Sequence, residues 1–213
     1  MPPDDDSRPP GTTGTARLEA FSDGVFAIAI TLLVLDLTLG RSGSALERVL
    51  HAWPFYVAYV VSFLTIGAAW LGHTGITDRL TRADSLLLRI NLLLLLVVVL
   101  LPFPTRLVAE ALDDVNGERV FVTMYGLTLL AIRVLLFALD SYARNEHLYL
   151  QNEVVDEELE AEREKLLPVL IVYVLAIGVG LVLPRLAVAL YFGVAVFLVV
   201  PFREVARLLL RRS

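Results

Sequence analysis

Three polar residues at the edge of an apolar run are the first in this chain whose types and spacing could do chemistry. Arg17, Ser22 and Asp23 stand in Arg17-Leu-Glu-Ala-Phe-Ser-Asp23, which runs directly into Gly24-Val-Phe-Ala-Ile-Ala-Ile-Thr-Leu-Leu-Val-Leu-Asp36. A cation, a hydroxyl and a carboxylate can donate, accept and pair charge, and holding them at the mouth of an apolar helix is costly unless partners meet them. Similar groups recur further on: Trp70 and His73 near the end of a second apolar run, Arg89 and Asn91 at the start of a third. Two chemistries suit this inventory, an interhelical polar lock and a proton relay in which Asp23, Asp36 and His73 exchange a proton. Hydrolytic chemistry has no support. There is no H-E-x-x-H or G-x-S-x-G motif, no nucleotide-binding motif and no cysteine, and the three histidines, His51, His73 and His147, lie far apart in sequence.

The elements that must position these residues follow from composition. With 57% hydrophobic residues over 213 and a mean hydropathy of +0.71, the chain carries more apolar surface than a water-soluble domain of this size can bury. It reads as an all-α integral membrane protein. Runs of the length that crosses a hydrocarbon core fall at about 18–39, 52–75, 86–105, 118–140, 166–184 and 186–207, giving six expected spans. Pro102-Phe103-Pro104 is expected to end the third span, because proline stops a helix.

The remaining segments are short. Residues 1–16 are rich in proline, glycine and acid and are expected to form a disordered tail; they lack the basic start and short apolar core of a signal peptide. Residues 17–213 then form one membrane domain. Glu153–Lys165 reads as an acidic, solvated helical extension, part of a cytoplasmic stretch over about 145–165. The net charge of −5 comes from this tail and loop, so it points to no nucleic-acid partner. With the N-terminus inside, twelve of the eighteen Lys and Arg residues fall in inside segments and five in outside ones, Arg133 lying within a span. The excess favours both termini in the cytoplasm, and the closing Arg203, Arg207, Arg211 and Arg212 suit anionic headgroups of the inner leaflet. The absence of cysteine fits a prokaryotic cytoplasmic membrane.

Topology then gives depth to the polar groups. Arg17, Ser22, Asp23, Trp70, His73, Arg89 and Asn91 all fall at the cytoplasmic level of spans one to three, where they can satisfy one another; interfacial anchoring by Trp70 and snorkelling arginines is the competing account. On span one, at about 100° per residue, Ile28, Leu32 and Leu35 lie within about 40° of each other, Thr31 sits about 60° to one side and Asp23 about 140° away. An apolar stripe alone is what lipid contact or helix packing also produces.

Arg17-x-x-x-Phe21-Ser22-Asp23 followed by the helix through Thr31 resembles the signature first helix of the transmembrane protein 175 family of potassium channels. Trp70-Leu-Gly-His73, Leu88-Arg89-Ile-Asn91 and Leu101-Pro102-Phe103-Pro104-Thr105 are similar to later motifs of that family, so the resemblance covers residues 17–105. It implies a single six-helix unit repeated as a homotetramer around a central pore lined by the first helix, with potassium as the permeating ion and no cofactor. Carried over residue by residue, the resemblance puts the constriction at Ile28, with Leu32 and Leu35 completing the apolar path and Thr31 offering hydroxyls. It assigns Arg17, Ser22, Asp23, Trp70, His73 and Asn91 to the polar network that holds the helices, away from the ion path. An apolar ring gates by dewetting, so a modest preference for potassium would come from the lower dehydration cost of larger cations. A proton-permeable or proton-coupled transporter is the alternative. Arg133, inside the fourth span, is expected either to pair with an acid or to face a crevice.

Overall fold

The computed structural model describes residues 14–37, 44–113, 118–149 and 168–200. Among these, regular structure is helical, joined by short turns that carry an isolated bridge between Leu80 and Tyr149 and a further bridge residue at Ala83. The helices are α1 (Thr15–Leu32, continued by a 3-10 turn Leu33–Asp36), α2 (Ala45–His51), α3 (Trp53–Thr77), α4 (Ser85–Leu100), α5 (Pro102–Asp113) and α6 (Glu118–Asn145), then α7 (Pro168–Gly180) and α8 (Pro184–Val199).

Four stretches are long and apolar enough to cross a membrane: Thr15–Asp36, Trp53–Thr77, Ser85–Leu112 and Arg119–Asn145. They correspond to the first four expected spans. The third runs past the point where proline was expected to end it, because Pro102 does not stop a helix here. It starts one, occupying the first position of α5, where the N–H it lacks would have no intrahelical acceptor in any case. Only Leu101 interrupts the path, and Thr105 N–H still bonds to Leu101 C=O at 3.1 Å. The first span begins at Thr15, inside the expected tail, and its described part ends at Leu37; the expected end at residue 39 lies outside the described residues. Within the fifth and sixth expected spans the described residues form the shorter apolar helices α7 and α8; residues 166–167 and 201–207 of those spans lie outside the described residues. The tail over 1–13, the acidic stretch 153–165 and the terminal arginines lie outside the described residues.

Helix starts are written in the local sequence. Ser44 caps α2 in a reciprocal box: its Oγ accepts from Glu47 N–H at 3.3 Å, and Glu47 Oε2 accepts from Ser44 N–H at 2.8 Å. These bonds, first the one from the Ser44 backbone, hold the Glu47 carboxyl below its ordinary value. Asp84 caps α4, its Oδ1 accepting from Leu86 N–H at 3.1 Å and Leu87 N–H at 2.8 Å. The other oxygen of Asp84 accepts from the Tyr142 hydroxyl at 2.7 Å, and Thr81 N–H bonds to Leu148 C=O at 2.9 Å. The α3–α4 turn is thereby clasped to the end of α6.

Packing follows these caps. α4 and α5 lie along α6, α3 packs on α5 and α8, and α1 rests against α3 and α4. One contiguous apolar core runs through all of them. In lipid, transfer from water no longer separates a packed leucine from an exposed one, so close packing and satisfied polar groups decide how the helices associate.

Candidate functional site

α1 has two unlike faces. Its rear, Leu18, Ser22, Phe26, Ala29 and Leu33, is buried; at about 100° per residue these directions centre about 120° from Ile28. The front is open: Phe21 is 55% exposed, Ile28 57%, Leu32 37% and Leu35 73%. Leu35 sits in the 3-10 turn rather than in the α-helix. Three steps at about 120° bring it directly above Leu32, so the line Ile28, Leu32, Leu35 survives the change of helix type. Thr31, also exposed, donates its hydroxyl proton to Ile28 C=O at 2.8 Å. With its proton spent on the helix, what Thr31 offers outward is oxygen lone pairs, which suit a cation and not an anion.

Below this stripe a polar network ties α1 to its neighbours. Asn91 on α4 donates from Nδ2 to Ser22 Oγ at 3.0 Å, and its Oδ1 meets His73 Nε2 on α3 at 2.8 Å. Because that amide oxygen can only accept, this arrangement has His73 carrying its proton on Nε2. All three side chains are buried at 1% exposure or less. His73 also stands 5.4 Å from the Phe26 ring, centroid to centroid. A second bond runs on the flank, where Trp70 Nε1–H donates to Asp23 Oδ1 at 2.8 Å.

The structure thus brings Ser22, Asp23, Trp70, His73 and Asn91 together at the α1–α3–α4 junction. Arg17 and Arg89 are exposed at the same level and stand outside these bonds. Asp36, half-buried at the far end of α1, is near Arg106 and Glu110 of α5, and Arg106 is itself paired with Glu110 at 3.0 Å. Asp23 stands midway along α1 and Asp36 at the end of the 3-10 turn that continues it, about 20 Å apart along the helix.

A third polar group had no counterpart in the reading of the sequence. Ser62 Oγ on α3 bonds to Thr105 Oγ1 on α5 at 2.7 Å and to Tyr125 Oη on α6 at 2.8 Å. All three are buried. In the sequence these three are hydroxyls among several in their apolar runs, and nothing there singles them out. Arg133, for which an acid or a crevice was expected, lines a cavity.

Among the described residues no group of three His, Cys, Asp or Glu is placed to hold a metal ion. What the site offers is an apolar helix face with one hydroxyl oxygen, that of Thr31, held from behind by hydrogen bonds.

Comparison with known proteins agrees with that shape. The family model described as endosomal/lysosomal potassium channel TMEM175 matches residues 17–102. A protein of Streptomyces collinus named as a potassium channel is 41% identical over 139 residues, covering 63% of this chain and 68% of its own. A Gallus gallus protein named endosomal/lysosomal proton channel TMEM175 is 37% identical over 113 residues, 48% of this chain but 23% of that longer one. The crystal structure of a protein described as a lysosomal potassium-selective channel TMEM175 homolog, from Chamaesiphon minutus, is similar with a TM-score of 0.78 and 32% identity, over 86% of this chain and 95% of that one. The similarity of fold therefore extends well past residue 105, where the sequence motifs stop.

Proposed function

This chain belongs to the TMEM175 family, and from that premise we propose that it is a passive potassium channel whose conducting path runs along the front of α1. The observation that carries the reading is the division of α1 into a buried, hydrogen-bonded rear and an exposed front of Ile28, Thr31, Leu32 and Leu35. A helix gripped from behind by α3 and α4 presents its free side at a fixed radius. Four copies of the chain around an axis turn that side into a pore, with four Ile28 side chains at its narrowest ring.

Within such a ring a hydrated ion must shed water that the wall cannot replace. The larger potassium ion holds its water less tightly than sodium, and the Thr31 oxygens lie one turn away to receive it. Conduction then follows the electrochemical gradient and selectivity is modest. Arg17, Ser22, Asp23, Trp70, His73 and Asn91 serve the pore from outside it, fixing the base of α1 within the protomer and between protomers. The chain is a membrane protein; we place it in the cytoplasmic membrane with both termini inside, supported by the distribution of basic residues.

The test is cation flux from liposomes reconstituted with the purified protein, an ionophore supplying the return charge. Potassium efflux should exceed sodium efflux without any added substrate. Ile28→Asn should wet the ring and move the permeability ratio toward unity. An unchanged ratio in a folded, conducting variant removes Ile28 as the constriction, and flux that requires a proton gradient replaces the channel with a coupled transporter.

A further inference from the structure

Between α3, α6, α7 and the end of α8 lies a cavity of about 220 Å³ whose lining includes Arg133, Asp140 and Arg144 of α6 and Val169 of α7. Its wall on α3, formed by Ala68, Gly72 and Ile76, points about 130° away from Trp70 and His73. The cavity therefore stands apart from the polar network and from the α1 stripe. Its polar groups are unequally served. Asp140 is satisfied twice, by Arg144 Nε at 2.9 Å and the Tyr149 hydroxyl at 2.7 Å. Arg133 is 4% exposed, yet its Nε and Nη2 have no hydrogen-bond partner among the described residues. Tyr173, one turn beyond Val169, is fully buried; its hydroxyl is near enough to interact with the guanidinium but also lacks a hydrogen-bond partner. One carboxylate against two guanidiniums leaves the described lining with a net charge of +1.

Three features of this arrangement define what would complete it. First, arginine keeps its charge in proteins, and a buried charge without a counter-charge is among the costliest groups a fold can hold. Water would satisfy the N–H groups and leave that charge uncompensated, and the one carboxylate of the described lining is already taken up by Arg144 and Tyr149. Second, the open groups are donors. Nε and Nη2 form one edge of the guanidinium, where two parallel N–H bonds converge on a single acceptor, and the Tyr173 hydroxyl can supply a third. Third, the site is deep: Arg133 lies 12 residues before the end of α6 at Asn145, a rise of about 18 Å. A ligand there must be small, must only accept, and must carry one negative charge against the net +1. We infer that Arg133 holds a halide ion, chloride in the cell, through the Nε–Nη2 edge of its guanidinium with the Tyr173 hydroxyl as a further donor. The ion ties α6 to α7 away from the cation path, and the site requires no ion conduction.

The test is chloride binding to the purified full-length protein in detergent, starting from potassium gluconate, whose anion is bulky and strongly hydrated. Replacing gluconate by chloride at constant ionic strength should raise the unfolding temperature by about 2 °C, saturably, and broaden the chloride NMR line. Arg133→Gln should abolish both responses. Tyr173→Phe keeps the ring and the arginine and removes one donor, so it should weaken chloride binding about tenfold. Should Arg133→Gln fail to fold, Tyr173→Phe still decides the matter: wild-type affinity in that variant overturns the proposal. No response of the wild type to chloride would mean that the cavity holds water alone, and a response that persists in folded Arg133→Gln would put the ion elsewhere; either overturns it. Equal stabilisation by potassium sulfate at matched ionic strength also overturns it, in favour of charge screening.

Discussion

The Ser22–Asn91–His73 network and the Arg133 cavity both put polar side chains inside apolar helices, and they resolve the cost in opposite ways. In the first, each side chain finds a partner within the chain, at 2.8 and 3.0 Å. In the second, two guanidinium nitrogens are buried and find none among the described residues. A satisfied network holds α1 against α3 and α4; an unsatisfied one asks for something the described residues do not supply. The difference separates residues that hold α1 against its neighbours from one whose donors the described residues leave open.

The largest expected effect breaks the satisfied side. Asn91→Leu removes the bridge and leaves both Ser22 and His73 buried without a partner, which should cost about 2–4 kcal/mol and lower the unfolding temperature in detergent. A variant as stable as wild type would mean that the two hydroxyl and imidazole groups find other partners, and the network would lose its role. Next is a removal that should cost little. Arg133→Leu deletes a buried charge whose Nε and Nη2 find no partner among the described residues, so in detergent its stability should lie within about 1 kcal/mol of wild type or above it. A loss as large as that of Asn91→Leu would show that Arg133 has a partner within the chain.

Much of this was legible before any coordinates. Long unbroken apolar runs gave the first four spans to within a few residues at most boundaries, because membrane length is set by hydrocarbon thickness. Trp70, His73 and Asn91 stood out as polar groups at one depth, and depth is countable along a helix. Azimuth is harder: Ser22 and Asn91 meet because α4 is turned toward α1, and nothing in the run Leu86–Leu100 states that rotation. Pro102 misled because the same ring that breaks a helix interior begins a new one comfortably, and only the position of Leu101 tells which applies. The Ser62–Thr105–Tyr125 cluster drew no notice since single hydroxyls in apolar helices usually bond to their own backbone, as Thr65 does to Val61 C=O at 2.8 Å.

Trp70→Phe sharpens the comparison within the network. It keeps most of the ring and deletes the one bond to Asp23, on the exposed flank rather than in the buried core. The expected loss is about 1 kcal/mol, clearly less than for Asn91→Leu. Equal losses, measured by thermal unfolding in the same detergent, would mean that the flank and the buried set act as one unit.

The smallest effect lies at the end of the helices, where water does reach the polar groups. Burial alone would raise the Asp84 carboxyl; the bonds from Leu87 N–H, the Tyr142 hydroxyl and Leu86 N–H, with the charge of Arg82, outweigh it and hold the group below its ordinary value of 3.8. A depressed carboxylate stabilises the fold above its unfolded pKa, and that contribution is lost as pH falls through the lower, folded value. Stability should therefore drop on acidification below pH 3.8 in a way that the wild type shares with other carboxylates and Asp84→Asn does not share at this position. Asparagine remains an N-cap through its one amide oxygen, while the Tyr142 hydroxyl, which donates to Asp84 Oδ2, must turn to accept from the asparagine Nδ2. Near neutrality the variant should lose the charge at the α4 terminus, about 0.3–1 kcal/mol. The difference between the two unfolding curves should shrink toward zero as acid protonates Asp84. A difference that stays constant across that range would mean that the clasp to Tyr142 depends on shape alone.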